Sequence, residues 1–324
     1  MSFRQPPEWA PHDFVWIGFP SHEIEWPGVL QEARAEVAAF AEAIHAGGKG
    51  EEVRLVAADP ASAGIARELA PFATIVEAAF GDVWLRDTGP IVLKQGEIRR
   101  AARFRFNGWG GKYVMAGDEG IGERLAAAAG LAGDSHDWVL EGGAIDVDGT
   151  GLAVTTEQCL LNPNRNPGLT RADIERRLGD QLGVERLLWL GQGLVNDHTD
   201  GHVDNLGRFV GENRLAIPEP SADDPNAAIY QDARRRAEAF GVEVVLLPSP
   251  GKVERDGEVV PASYMNFYIG NAAVAVPTYG APNDEAAVER IKALFPGRIA
   301  KGIRADHILV GGGSFHCISQ QVPE

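Results

Sequence analysis

The sequence predicts an α/β fold built from a repeated unit rather than from one continuous open sheet. Segments with strand and helix patterns alternate from the first residues onward. Candidate helices begin near residues 30, 61, 119, 170, 226 and 284, and the later ones recur at about 50 to 58 residues with two or three strands between them. A recurrence of this length is typical of repeat architectures. No glycine-rich dinucleotide fingerprint follows an early strand, which disfavours a dinucleotide-binding fold.

Length and composition favour a single domain over residues 1–324. The chain has 324 residues, 44% of them hydrophobic, and no low-complexity linker divides it. No window approaches the roughly 18 consecutive apolar residues of a membrane span, and the N-terminal segment lacks the basic start and apolar run of a signal peptide. We therefore expect a cytoplasmic protein with no membrane partner.

The charge balance limits the class of partner. The formal net charge is −16, from 46 acidic and 30 basic residues. Nucleic-acid sites require a basic surface, so this balance argues against a nucleic-acid partner and suits a small cationic ligand better. The two cysteines, Cys159 and Cys317, are too few for a disulfide framework, and a reducing compartment leaves both as thiols.

The first elements are a strand at 13–20, a helix, a strand at 52–58 and a helix at 61–69 that ends before Pro71. The first helix is marked by apolar residues that recur on one face, namely Leu30, Val37, Phe40 and Ile44. Its predicted end is the Gly47-Gly48 pair.

In the middle of the chain, predicted strands are joined by turns and loops that contain candidate functional residues. A strand near 74–80 precedes WLRDTGP, in which Asp87 lies just before a Thr-Gly-Pro turn. A hairpin follows at 91–106. The loop 107–113 contains too many glycines for regular structure and too many aromatic residues for a solvated linker, so we expect it, including Trp109, to line a pocket.

The second half continues the alternation. A helix near 119–129 leads to two strands about an Asp148-Gly149 turn. The next helix has Thr170 as its predicted N-cap, with Asp173 three residues later. Helices at 226–240 and 284–294 each precede a strand, and Asn283 is the predicted cap of the last helix.

The C-terminal segment GGGSFHCISQQVPE places a thiol after three glycines and a histidine. One interpretation is a turn at Gly311, Gly312 and Gly313 followed by Cys317 as a small buried apolar residue. The other interpretation is that Cys317 is the nucleophile of an active site. This segment alone leaves both interpretations open.

The segment HTDGHVD also admits more than one interpretation. On an extended strand His198, Asp200, His202 and Asp204 would share one face, and two imidazoles with two carboxylates could hold a divalent metal ion. The alternatives are a histidine for proton transfer beside a cation-binding carboxylate, or a polar face turned to water. Gly201 favours a bulge or the close approach of a ligand.

Six motifs in order resemble the agmatine deiminase family, within the guanidino-group-modifying superfamily that also contains arginine and peptidylarginine deiminases. They are WLRDTGP, FNGWGGKY, LEGGAIDVDG, GHVDN, SYMNFYIGN and GGGSFHCISQQ, and they span nearly the whole chain. The resemblance implies a five-bladed α/β propeller (pentein) with pseudo-fivefold symmetry, in which each blade is a ββαβ unit and the active site lies in the central cavity. A ββαβ unit agrees with the observed recurrence.

The resemblance also implies roles for individual residues. Cys317 matches the nucleophile, His202 the catalytic histidine, and Asp87 and Asp204 the two carboxylates that bind the guanidinium. Glu141 matches an acid that orients the histidine and favours its protonated form. Residues predicted to contact the substrate in addition to the two aspartates are Trp84, Trp109, Asp200 and Gly313.

The implied reaction is the hydrolysis of agmatine to N-carbamoylputrescine and ammonia through an S-alkylthiouronium intermediate, a step toward putrescine that needs no cofactor or metal. The alternatives are an arginine or peptidylarginine deiminase on the same scaffold and, from another class, a metallohydrolase that uses HTDGHVD. Many agmatine deiminases have an acid four positions before the catalytic histidine, where this chain has His198. Asp200 is then the candidate contact for the distal ammonium. A homodimer is a possible assembly.

Overall fold

The computed structural model describes residues 3–324. The strands are β1 (His12–Gly18), β2 (Glu52–Ala57), β3 (Thr74–Glu77), β4 (Ile91–Gln95), β5 (Ile98–Arg105), β6 (Gly133–Val139), β7 (Ile145–Val147), β8 (Leu152–Thr156), β9 (Arg186–Leu190), β10 (Arg208–Gly211), β11 (Arg214–Glu219), β12 (Glu243–Pro248), β13 (Glu254–Arg255), β14 (Glu258–Val259), β15 (Tyr268–Ile269), β16 (Ala273–Thr278), β17 (Ile299–Arg304) and β18 (Ser319–Pro323). The α-helices are α1 (Leu30–His45), α2 (Pro60–Leu69), α3 (Leu85–Thr88), α4 (Gly108–Gly111), α5 (Asp118–Ala128), α6 (Glu157–Leu160), α7 (Arg171–Leu182), α8 (Ala227–Phe240) and α9 (Asp284–Leu294).

Five sheets repeat one topology. In four of them an antiparallel pair is followed by a helix and a third strand parallel to the second: β4-β5-β6, β7-β8-β9, β10-β11-β12 and β15-β16-β17. The fifth is completed by the chain's end, because β18 pairs antiparallel with β1 and β1 pairs parallel with β2, beyond which β3 is added. The α/β class and the recurring ββαβ order are therefore present. The sheets are small and do not join into one closed sheet, so the closed five-bladed propeller stays a prediction.

Each unit places a short helical turn directly before its first strand. These turns are α3 before β4, the 3₁₀ turn Gly142–Ala144 before β7, Val203–Asn205 before β10, Tyr264–Asn266 before β15, and the turn 315–318 before β18. Five of the six motifs include one of these turns, and the sixth, FNGWGGKY, contains α4. The repeat thus brings five separate segments into equivalent positions.

Local signals explain why the helices begin where they do. Thr170 and Asp173 form the predicted capping box at the start of α7. Asp59 caps α2 by accepting from the N–H groups of Ala61 and Ser62, and Pro60 occupies the first helical position. Asn283 does precede α9, but its side chain donates to the Ser249 carbonyl instead of capping the helix. Asp284 accepts from the preceding backbone N–H groups of Tyr279 and Gly280.

The core lies between each sheet and its helix. Its largest cluster joins β1, β2 and β16 to α1 and includes the fully buried Trp16, Phe40 and Phe315. Phe315 stacks on Phe40 with ring centroids 4.8 Å apart, which fastens the C-terminal segment to α1. Among residues 3–324 no helix is long and apolar enough to cross a membrane.

The segment HTDGHVD is not an extended strand, so the condition for the metal-binding interpretation is not met. Residues 195–207 form turns and a 3₁₀ turn, and β10 begins only at Arg208. Asn196, Asp200 and Gly201 have φ values of 60°, 63° and 84°, in the left-handed region that an extended strand cannot contain. The alternating His and Asp residues therefore do not share a strand face.

Candidate active site

Cys317 lies at the base of a pocket and is almost fully buried, at 5% exposure. Its Sγ is 3.4 Å from Asp204 Oδ2 and 3.0 Å from Asn266 Nδ2. Burial raises the pKa of the thiol well above its usual range, and the charges of Asp204 and Asp87 raise it further. In the unliganded protein this cysteine is therefore a protonated thiol.

The three glycines before the nucleophile serve different purposes. Gly312 has φ of 109° and makes the left-handed turn. A Cβ on Gly311 or Gly313 would lie 3.0 or 2.6 Å from the indole ring of Trp84. Two of the glycines are thus required by the packing of Trp84, which forms a wall of the pocket.

Asp87 is held by two donors on different units. Its Oδ2 accepts from the Trp109 indole Nε1 at 2.9 Å, and its Oδ1 accepts from the Gly143 backbone N–H at 2.9 Å. Trp109 has φ of 51°, which is strained for a bulky residue and persists only where the surroundings fix it. The loop 107–113 therefore lines the pocket as predicted and also orients a carboxylate.

Asp204 is fully buried and has one occupied and one free oxygen. Oδ2 accepts from His316 Nδ1 at 2.8 Å, whereas Oδ1 has no hydrogen-bond partner among residues 3–324. Burial opposes ionisation, but the hydrogen bond and charge of His316 outweigh it and lower the pKa of Asp204. A charged acceptor is therefore available beside the thiol.

His202 is fully buried next to both carboxylates. Its Nδ1 is 3.7 Å from Asp87 Oδ1, and neither ring nitrogen has a hydrogen-bond partner within the described chain. Burial lowers the pKa of His202, but Asp87, Cys159 and Glu141 together raise it well above its usual range. The imidazole is consequently protonated at neutral pH.

Glu141, predicted to orient the histidine and to favour its protonated form, raises the pKa of His202 by its charge but forms no hydrogen bond with it. Its Oε1 accepts instead from Arg165 Nε at 2.6 Å, and Oε2 has no partner among residues 3–324. Arg165 is itself buried and also contacts Asp200 and the Thr199 carbonyl. Glu141 acts on His202 through its charge, and Arg165, in a segment predicted only as a loop, fixes Glu141.

Asp200 faces protein cations rather than the pocket. Its Oδ1 binds Lys112 Nζ at 2.7 Å, and its Oδ2 binds Arg165 and Asn164 at 2.5 and 2.9 Å. His198, in contrast, lies at the pocket mouth beside Tyr113. The substrate-contact prediction for Asp200 therefore has no support from its geometry.

The metal quartet predicted from HTDGHVD is not assembled. His198 is exposed, Asp200 is paired with Lys112 and Arg165, and Asp204 binds His316. Within residues 3–324, one group of potential metal ligands has atoms within 4.8 Å of one another, namely Glu141, Cys159 and His202. Cys159, predicted to belong to the core, is fully buried there behind the histidine.

Asn266 is a site residue that sequence reasoning missed. Its Nδ2 contacts Cys317 Sγ, and its Oδ1 accepts from the backbone N–H groups of His316 and Cys317 at 3.0 and 3.2 Å. The signal was available, because SYMNFYIGN is one of the six motifs and its turn is equivalent to those that carry Asp87 and Asp204. One amide thus positions both the backbone and the sulfur of the nucleophile.

The pocket above Cys317 has a volume of about 280 Å³. Asp87, Gly313 and Cys317 lie at its base, Trp84 and Trp109 form walls, and Glu25 and Asp82 line it as well. Neither Glu25 nor Asp82 forms an ion pair within residues 3–324. Burial raises the pKa of both, and their mutual repulsion raises that of Asp82 further. Within the described residues, neither carboxyl group is paired with a lysine or an arginine, and His22 is the group whose charge acts on Glu25 in the opposite sense to burial.

Comparison with known proteins identifies the family. The model of the Porphyromonas-type peptidyl-arginine deiminase family matches residues 4–323. The chain belongs to this family. A family relative from Pectobacterium atrosepticum named "Putative agmatine deiminase" is 36% identical over 353 residues, which cover 99% of this chain and 95% of that protein.

Solved structures agree with the family assignment. The agmatine deiminase of Enterococcus faecalis is 31% identical, with a TM-score of 0.93 and coverage of 99% of this chain and 96% of that one. A cysteine-to-serine variant of the C. jejuni agmatine deiminase with substrate bound is 27% identical, with a TM-score of 0.93 and coverage of 100% and 97%. An amidinotransferase from Microseira wollei, at 11% identity and a TM-score of 0.60, shares the fold alone.

Proposed function

We propose that this protein is an agmatine deiminase that hydrolyses agmatine to N-carbamoylputrescine and ammonia with Cys317 as its nucleophile. The observation that carries the proposal is the convergence of four groups: Cys317 and Asp87 line one pocket, Asp204 lies beside the thiol, and the buried His202 lies 3.7 Å from Asp87. The full-length family relatives support the same activity.

Asp87 and Asp204 supply the recognition of the guanidinium. A guanidinium is planar and offers paired N–H donors, which carboxylates accept in fixed geometry. The free Oδ1 of Asp204 and the second lone pairs of the Asp87 oxygens remain available as acceptors. Trp84 and Trp109 limit the motion of the bound group, so its central carbon faces Cys317.

Substrate binding activates the thiol. The same carboxylates that raise the pKa of Cys317 are neutralised by the bound guanidinium cation. The pKa of the thiol therefore falls in the complex, and its proton passes to solvent. The amide of Asn266, whose Nδ2 lies 3.0 Å from Sγ, stabilises the thiolate by donating to it.

His202 then transfers protons in both halves of the reaction. The thiolate attacks the guanidinium carbon, and the C–S bond forms as the carbon–nitrogen π electrons move onto nitrogen. The protonated His202 gives its proton to the departing nitrogen, the C–N bond breaks and ammonia leaves an S-alkylthiouronium. Neutral His202 next takes a proton from water, whose oxygen attacks the same carbon. The C–S bond then breaks with its electron pair on sulfur, and the hydroxyl proton of the intermediate passes to that sulfur, which releases the carbamoyl product and restores the thiol.

Glu25 and Asp82 favour agmatine over other guanidino compounds. They are the acids lining the pocket besides Asp87, and neither forms an ion pair with a lysine or an arginine among residues 3–324. The distal ammonium of agmatine would relieve their repulsion. The carboxylate of free arginine would add to it. An arginyl residue within a peptide has neither a free ammonium nor a free carboxylate at this position, because both backbone groups are in peptide bonds.

The five equivalent turns support a pentein propeller in which every unit contributes to one central site. Asp87, Glu141, Asp204, Asn266 and Cys317 come from the turns of successive units or their immediate edges. On this basis the protein is a single catalytic domain. The cytoplasmic location and the homodimer stay predictions.

Ammonia release from agmatine, free arginine and an arginyl peptide tests the proposal. We expect agmatine to give the highest kcat/KM and Cys317→Ala to abolish turnover with an unchanged Tm. Activity of Cys317→Ala at the parental rate would contradict the mechanism. Equal kcat/KM values for agmatine and free arginine would contradict the specificity. Loss of activity on exhaustive chelation, without inactivation by a thiol alkylator, would favour the metallohydrolase instead.

A further inference from the structure

His316, the residue before the nucleophile, bridges two buried carboxylates. Its Nδ1 is 2.8 Å from Asp204 Oδ2, and its Nε2 is 2.9 Å from Glu8 Oε2. The ring is 2% exposed. Glu8 comes from the segment before β1, more than three hundred residues away in the chain, and neither residue has a part in the chemistry proposed above.

Both carboxylates that contact His316 have a lowered pKa. Burial raises the pKa of Glu8, but Arg208, His316 and Arg86 outweigh it and hold that pKa well below the usual range. The pKa of Asp204 is likewise lowered. An ionised carboxylate only accepts hydrogen bonds, so each ring nitrogen of His316 faces an acceptor. The ring is therefore placed to bridge the two carboxylates by a hydrogen bond at each nitrogen.

Glu8 is held on every side. Its Oε1 accepts from Arg208 at 2.9 Å and from the Ile269 backbone N–H at 2.8 Å, and its Oε2 also lies 3.2 Å from Arg86. The side chains of both arginines are buried. Two arginines and a backbone N–H hold the Glu8 carboxylate in place, so it is an immobile acceptor for the His316 ring.

We propose that Glu8, acting through His316, is a positioning residue that fixes Asp204 with one oxygen occupied and the other free for the substrate guanidinium. The inference rests on the proposed function of Asp204. A carboxylate held at Oδ2 cannot rotate freely about its terminal bond, so Oδ1 keeps one direction. The contact with His316 also lowers the pKa of Asp204 against the effect of full burial.

The two hydrogen bonds of the His316 ring are tested without substrate. Nitrogen NMR of the ¹⁵N-histidine-labelled protein at pH 7.5 is compared with that of His316→Gln, which assigns the signal. We expect both ring nitrogens of His316 to carry hydrogens in the parent protein. A signal from one unprotonated ring nitrogen would overturn the proposal.

Kinetics tests the positioning itself. We expect Glu8→Gln and His316→Gln each to lose about tenfold or more in kcat/KM for agmatine, in the range seen when outer hydrogen-bond partners of functional residues are removed. Because the two residues act in series, the loss of kcat/KM in the double variant should be no larger than the larger of the two single-variant losses. The control is Asp146→Asn, which removes another buried acid bound to Arg208 but does not contact His316 or Asp204. Its kcat/KM should stay within about threefold of the parent value, which is well below the loss of about tenfold or more expected for the two test variants.

The outcomes separate a positioning role from a structural one. Additive losses in the double variant, or a loss in Asp146→Asn equal to that in Glu8→Gln at similar Tm, would show that the network only stabilises the fold. If Glu8→Gln fails to fold, His316→Gln still decides, because parental KM and kcat in that variant would overturn the proposal. If the parent protein does not turn over agmatine, the proposed function fails, whereas the nitrogen spectrum still reports on the Glu8–His316–Asp204 contact.

Discussion

A methyl group at position 143 should disable the site while leaving the fold in place. An ideal Cβ on Gly143 would lie 2.6 Å from His202 Nδ1, 2.9 Å from Asp87 Oδ1 and 3.0 Å from Asp204 Oδ2. Non-bonded atoms prefer a separation of about 3.5 Å, so in Gly143→Ala the imidazole must move by about 0.9 Å (3.5 − 2.6). Three functional side chains are displaced by one atom.

The expected effect follows from that displacement. Misplacing catalytic groups by about 1 Å costs roughly 10²-fold in rate, and overpacking a dense site costs about 1–3 kcal/mol of stability. We therefore expect kcat/KM for agmatine to fall by about 10²-fold in Gly143→Ala, with a Tm lowered by a few degrees. Steady-state ammonia release and thermal unfolding measure the two effects separately.

A matched glycine provides the control. Gly64 lies inside α2, and an added Cβ there would meet no atom within 4 Å. Gly64→Ala should keep parental activity and gain about 0.5–1 kcal/mol of stability, because alanine is the better helix former. Activity of Gly143→Ala within about threefold of the parent would refute the reasoning, since a change of that size is far below the expected 10²-fold.

Three further predictions concern the nucleophile and its supports. Because the pKa of Cys317 is raised, its alkylation by iodoacetamide should be slow at neutral pH and should accelerate as the pH rises above the ordinary thiol pKa of about 8.5. Labelling of Cys317→Ala at the same rate would show that another group reacts. Arg165→Met leaves the charge of Glu141 buried and unpaired and should cost about 3–5 kcal/mol in denaturant unfolding, and an unchanged midpoint would contradict this. Trp109→Phe removes the indole hydrogen bond to the buried carboxylate of Asp87. Such a bond contributes about 1.5–3 kcal/mol, so kcat/KM should fall roughly 10- to 100-fold. Parental kinetics would mean that the Gly143 N–H alone orients Asp87.

The sequence by itself determined the elements and the residue types of the site. Apolar periodicity marked α1, and the Thr170–Asp173 capping box marked α7, because these signals act between residues a few positions apart. The recurrence length indicated repeated units of several strands and one helix. The motifs supplied Cys317, His202, Asp87 and Asp204, and the fold brings these four together.

Tertiary structure alone decided which groups pair. The alternation of His and Asp in HTDGHVD allowed an extended strand as one interpretation. Asp200 is instead bound by Lys112 and Arg165 from distant segments, and residues 195–207 form turns. For the same reason Glu141 pairs with Arg165 rather than with His202. Local sequence cannot specify such contacts, because a buried charge takes the partner that the packing of remote units brings within reach. Glu8 escaped the sequence argument because its partner His316 lies more than three hundred residues away along the chain and no motif includes Glu8. Asn266 lies within a motif, but its contact with Cys317 appears only in the tertiary structure.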